Sequence, residues 1–184
     1  MGDDLRAVER TETARESVVR SIPGESWAVA HVKPRQEKAL SRDLEAGAVT
    51  HYLPVIRELR THGGRKRWVD SPLFPGYVFA RGGPELTTKL RRTDRVVNCL
   101  DVPDQGRLLA ELSQIEAAIA AGATFNPYPY LREGEYARIS RGPLRGVEGI
   151  IDRTDGRTRL VLIVQTLGRA TAIEVNPAEI EAVG

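Results

Sequence analysis

A chain of 184 residues, 41% hydrophobic and 28% charged, has the balance of an ordinary globular protein and the length of one domain or two small ones. Its single cysteine, Cys99, excludes an intramolecular disulfide, and its longest aliphatic run, Leu160 to Val164, is too short to cross a bilayer. The net charge of +2 is unevenly spread: residues 27–95 hold fourteen Lys or Arg against seven acids, whereas 131–184 balance at eight and eight. Basicity confined to one domain-sized block fits a surface that approaches nucleic acid or an acidic protein.

Residues 1–24 are polar, mixed in charge and without a sustained apolar face, which predicts a mobile tail, with a short helix over Leu5 to Val19 as the alternative. Acidic residues at Asp3 and Asp4 and no apolar segment speak against a secretory signal. Trp27 to Val32 reads as a strand. A helix follows from about Pro34, with Leu40 and Leu44 on one face and Gly47 at its end. Tyr52 to Leu59 reads as a strand, Gly63-Gly64 as a tight turn and Arg65 to Asp70 as its return.

The run Ser71-Pro-Leu-Phe-Pro-Gly-Tyr-Val-Phe79 sets aromatic side chains around a Pro75-Gly76 corner that leads into a strand. Tyr77 and Phe79 share one face there and Val78 points to the other. By itself this cluster fits a core as well as an interface. A helix over Glu85 to Arg92 and a strand over Val96 to Leu100 come next. Leu108, Leu112, Ile115 and Ile119 recur at helical spacing, with Gly122 just beyond. These elements compose an α+β sandwich, a sheet covered on one face. Residues 123–130, with Pro127 and Pro129, read as an extended linker. Short β-branched runs at 136–139, 149–151, 159–164 and 171–175, punctuated by glycines, then predict a small β-barrel.

Nothing in the chain has the grammar of an enzyme. His31, His51 and His62 lack metal-ligand spacing and form no nucleophile–base set with Cys99. Asp152 and Asp155 bracket a turn, and no glycine-rich phosphate loop occurs. No catalytic residue, metal or cofactor is expected. Cys99, inside an apolar strand, suits a reduced thiol and a cytoplasmic protein.

Three segments carry a family resemblance. They are Trp27 and its strand with Glu37-Lys38 on the following helix, then Pro72 to Phe79, then Gly134 to Ile151 closing with Gly168 to Thr171 and Ile173 to Val175. In this order the chain resembles the NusG family, with a NusG N-terminal domain over 25–122, the linker over 123–130 and a KOW domain, an SH3-like barrel, over 131–184. The short connection from Pro54 to Pro72 and Asn126-Pro-Tyr-Pro-Tyr130 are most similar to the specialised paralogues of the RfaH, LoaP and UpxY type.

The resemblance implies a monomeric transcription elongation and antitermination factor, serving particular operons, that binds the clamp helices of RNA polymerase. Phe74, Pro75, Tyr77 and Phe79, with Trp27, would form the apolar pocket for those helices. Thr87-Thr88 is similar to a DNA-contacting threonine pair of the family, although the preceding histidine is missing. Lys89, Arg91, Arg92 and Arg95 lie at helical spacing and would face the non-template DNA strand, or simply solvent. Arg65-Lys66-Arg67 beside Trp68 suits phosphate contact and stacking, or solubility alone. In the barrel, Arg141 and Arg145 flank a glycine turn, and Leu167 stands where relatives carry an aromatic residue that meets a small-subunit ribosomal protein or Rho; leucine puts the Rho contact in doubt. The alternative reading is a KOW-type RNA-binding protein of ribosomes or mRNA leaders, against which the barrel's balanced charge counts. No membrane partner is expected. The β-branched residues and glycines of 136–175 favour a barrel in the intact chain over the helical hairpin that this domain adopts in RfaH.

Overall fold

The computed structural model describes residues 17–128 and 134–183. The expectations for the tail over 1–16 and for the end of the linker, 129–130, fall outside the described residues. Strands β1 (Ser26–Val32), β2 (Thr50–Tyr52), β5 (Tyr77–Gly82) and β6 (Val96–Leu100) form an antiparallel sheet in the order β2-β5-β1-β6. Strands β3 (Val55–His62) and β4 (Arg65–Pro72) stand apart as a two-stranded hairpin. The predicted strand from Tyr52 to Leu59 is thus two strands. Pro54, which has no N–H for a ladder, lies at the break, and its carbonyl accepts from the Leu73 amide.

Side-chain alternation sorts the sheet into two faces. Ala28, Ala30, Val32, Val78, Ala80 and Cys99 pack on helix α1 (Glu37–Ala46) through Leu40 and Leu44, and on α2 (Leu86–Arg91) through Leu86 and Leu90. Trp27, Val29 and Phe79 point the other way, into a cluster with Leu108, Leu112, Ile115 and Ala118 of α3 (Gln105–Ala120). The sheet is therefore covered on both faces and not on one. β1 from Trp27 to Ala30 and β5 from Tyr77 to Ala80 carry apolar residues at successive positions, as a sheet buried on two sides requires.

The second unit is all-β: β8 (Tyr136–Ile139), β9 (Glu148–Thr154), β10 (Arg157–Val164), β11 (Arg169–Glu174) and β12 (Ile180–Ala182). The α+β sandwich followed by a barrel-like all-β unit agrees with the sequence reading. Within the expected linker, however, β7 (Phe125–Tyr128) pairs with β11, extending the sheet to the order β12-β8-β9-β10-β11-β7. Pro127 is tolerated there because β7 is an edge strand.

The barrel also rests on α3. Ala137, Ile139, Val164 and Leu167 join the same apolar cluster as Leu108 and Leu112. The Glu148 amide donates to Gln114 Oε1 at 2.9 Å and the Gln165 amide to Glu111 at 3.1 Å. Burial of that carboxyl raises the Glu111 pKa to about 7, against the lowering effect of the Gln165 amide and Arg107. The described end of the expected tail is also anchored: Val19 is buried, and the Ser17 hydroxyl meets the Glu116 carboxylate.

Candidate functional site

The aromatic corner owes its shape to backbone bonds. Gly76 has φ +89°, a conformation that L side chains rarely adopt, and its carbonyl accepts from the Val32 amide at 2.8 Å. Its own amide donates to Glu37 Oε1 at 2.7 Å, so the first residue of α1 pins the turn. Phe74 and Phe79 then meet edge to face with centroids 6.5 Å apart, and Tyr77 stacks on His31 at 5.2 Å.

Burial divides the five apolar candidates. Phe74 and Trp27 are each 4% exposed and Phe79 is fully buried, whereas Tyr77 is half-buried and Pro75 exposed. Leu73, Phe74, Pro75 and Tyr77 line one wall of a cleft of about 460 Å³, with Ile56 from the hairpin beside them. The opposite wall comes from Phe125, Asn126, Arg169, Ala170 and Thr171 on β7 and β11. The corner that the family resemblance assigns to the clamp-helix pocket is thus faced by the edge of the barrel.

On α2, Leu86 and Leu90 point inward, leaving Thr87, Thr88, Lys89, Arg91 and Arg92 exposed. Arg95 separates from this set: its guanidinium bonds to Asp43 at 2.6 Å and to Gln36 Oε1. Arg91 also reaches the Cys99 thiol, whose pKa is raised by burial, as suits an inert core cysteine.

On the hairpin, period-two alternation splits the basic run. Lys66 shares a face with Trp68, and Arg65 and Arg67 lie on the other. The cation over the Trp68 ring is Arg57, 5.6 Å from its centroid, which arrives diagonally from β3. The run 65–68 alone does not contain this pair. Counting back from the Gly63-Gly64 turn, where both φ are positive, finds it, because Leu59 then faces Trp68 and Arg57 lies two residues further. In the second unit Arg141 and Arg145 are exposed, but Leu167 is buried in the shared cluster.

Among the described residues no helix is long and apolar enough to cross a membrane. A family model described as "Transcription termination factor nusG" matches residues 25–119, more than half of the chain. The transcription termination/antitermination protein NusG of Borreliella burgdorferi is 24% identical over 181 residues, which span 86% of this chain and 98% of that protein. The NusG protein of Yersinia pestis is 24% identical over 171 residues, 89% of this chain and 93% of that protein. A solved structure titled "Domain interaction in Thermotoga maritima NusG" aligns with 87% of this chain and 98% of its own at 19% identity, with a TM-score of 0.44. The match to the family model runs from the start of β1 to the end of α3, the stretch that carries the aromatic corner, the hairpin and α2. The chain belongs to the NusG family of transcription termination and antitermination factors.

Proposed function

We propose that this protein is a cytoplasmic elongation and antitermination factor that binds the clamp helices of RNA polymerase through the corner Leu73 to Tyr77 and suppresses pausing or termination on particular operons. One observation carries the reading: an apolar wall whose backbone is locked by Gly76 and Glu37 and which is supported from beneath by Phe79 and Trp27. Rigid aromatic residues on a preformed corner supply contact area at small entropic cost. The edge formed by β7 and β11 is the far wall of the cleft, so a helix that docks on the corner contacts or displaces that edge.

Thr87, Thr88, Lys89, Arg91 and Arg92 then form a face toward the non-template DNA strand. Arg65, Lys66 and Arg67 add cations on the hairpin, and Arg95 serves α1 instead. Of the three barrel candidates, Arg141 and Arg145 are exposed to a ribosomal partner and Leu167 is not. Operon-specific service is supported by the compact hairpin, which connects Pro54 to Pro72 without an inserted domain.

Phe74 is unsuited to testing the clamp contact, because Phe74→Ala removes a core side chain at a cost of about 3–5 kcal/mol. Tyr77→Ala and Pro75→Asp change the exposed rim. Each is expected to weaken binding of the full chain to a clamp-helix fragment by about 1–2 kcal/mol, in the range of interface residues, with the thermal transition retained. Unchanged affinity in both variants would remove the corner from the contact.

A further inference from the structure

Trp68 is 61% exposed, the highest value for a large apolar side chain among the described residues, and Leu59, directly across the ladder, is 49% exposed. The hairpin belongs to neither larger sheet. Its inner face, with Ile56, Glu58 and Arg60, lines the cleft beside the aromatic corner. Its outer face carries Arg57, Leu59, Thr61, Lys66, Trp68 and Asp70. We propose that this outer face is a stacking platform for single-stranded nucleic acid, with Trp68 receiving a base and Arg57 and Lys66 meeting the flanking phosphates. This deepens the DNA-facing part of the proposed function and rests on it for the class of partner.

The arrangement favours that occupant on three grounds. A planar ring with a guanidinium over it, standing clear of the fold, is the unit on which unpaired bases stack, because every base offers a π face. Bases in a duplex are already stacked and present only their edges. The charge is also complementary at the ring: Arg57 and Lys66 flank Trp68, Glu58 is turned to the inner face and paired with Arg60 at 2.9 Å, and the one acid of the outer face, Asp70, lies at the base of the hairpin, where Lys38 donates to its carbonyl. Leu59 and Trp68 alone make a small apolar patch for a protein partner or a second copy of the chain.

The test uses the full chain with labelled oligothymidine and oligouridine of about twelve nucleotides, within the usual span of single-strand sites, and the matching duplex. Both single strands, or either one, should bind and quench tryptophan emission; the quenching reports Trp68, since Trp27 is buried. Trp68→Ala should lower affinity about five- to hundredfold, as expected for losing one stacked base, with Trp68→Phe intermediate. Lys66→Ala should weaken binding and flatten the salt dependence by about 0.7 in the log–log slope. Unchanged affinity in Trp68→Ala overturns the proposal, as does equal binding of the duplex without quenching. Quenching by polyglutamate but by neither oligonucleotide would overturn it in favour of an acidic protein. Trp68→Ala should still bind the clamp-helix fragment, and Tyr77→Ala should still bind the oligonucleotides, so this site and the clamp contact fail independently.

Discussion

Trp27 and Trp68 each have an arginine guanidinium 5.6 Å from the ring centroid, yet one tryptophan is 4% exposed and the other 61%. Arg81, over Trp27, is itself buried, and its charge is matched by Glu25 at 2.9 Å and by the Arg20 carbonyl at 2.9 Å. The Trp27 indole N–H donates to that same carbonyl. Every polar group around Trp27 is thus engaged within the fold, and the pair ties the segment before β1 to the sheet. Around Trp68 the ring and its cations remain open to solvent. One interaction stabilises a core in the first place and leaves a recognition surface in the second. Desolvation makes the difference: a cation–π pair is worth about 0.5–1 kcal/mol when exposed and about 2 kcal/mol or more when water is excluded.

The largest expected effect follows from Trp27→Ala, which should lower stability by about 3–5 kcal/mol in urea melts, the usual cost of removing a buried aromatic. A loss below about 1 kcal/mol would show that the ring is not core and would break the comparison. Arg81→Met comes next. It removes the guanidinium bonds to the Arg20 and Val18 carbonyls and takes the cation from Glu25, and should cost about 2–3 kcal/mol. At the other extreme, Trp68→Ala should leave stability within about 0.5 kcal/mol, as for exposed positions away from special features.

Glu111 extends the contrast from rings to charges, and its effect on stability is read as a slope. Its folded pKa of about 7 lies above the ordinary carboxylate range, so the folded chain holds a proton that the unfolded chain has released. That contribution is fully present below about pH 4 and is lost as pH rises to about 7. Chemical denaturation across this window should show stability declining with pH, and Glu111→Gln should remove this component of the slope. An identical slope in the variant would mean that the carboxyl at the α3–barrel contact is not the titrating group.

Much of the fold is legible in local pattern. Alternation in Trp27 to Val32 and in Tyr77 to Phe79, the helical recurrence of Leu108, Leu112, Ile115 and Ile119, and the Gly63-Gly64 turn each specify an element within one segment, because their periods follow from backbone geometry. The placement of Tyr77 and Phe79 on one face and Val78 on the other follows from the same period. The contacts between elements were not determined locally. That α3 closes the second face of the sheet, that β7 joins β11, and that the barrel buries Leu167 and faces Phe74 all depend on which apolar surfaces meet at long sequence separation. Arg57 reaches Trp68 only through the register of a hairpin, and Arg95 leaves the basic patch only because Asp43 of α1 lies beside it. Sequence by itself determined the three helices, most of the strands and their order, and the chemical character of each face, while β7 and β12 were not legible in it. Tertiary packing decided which aromatic residues became core and which cations stayed exposed, since burial and charge pairing are properties of neighbours that the chain brings together only on folding.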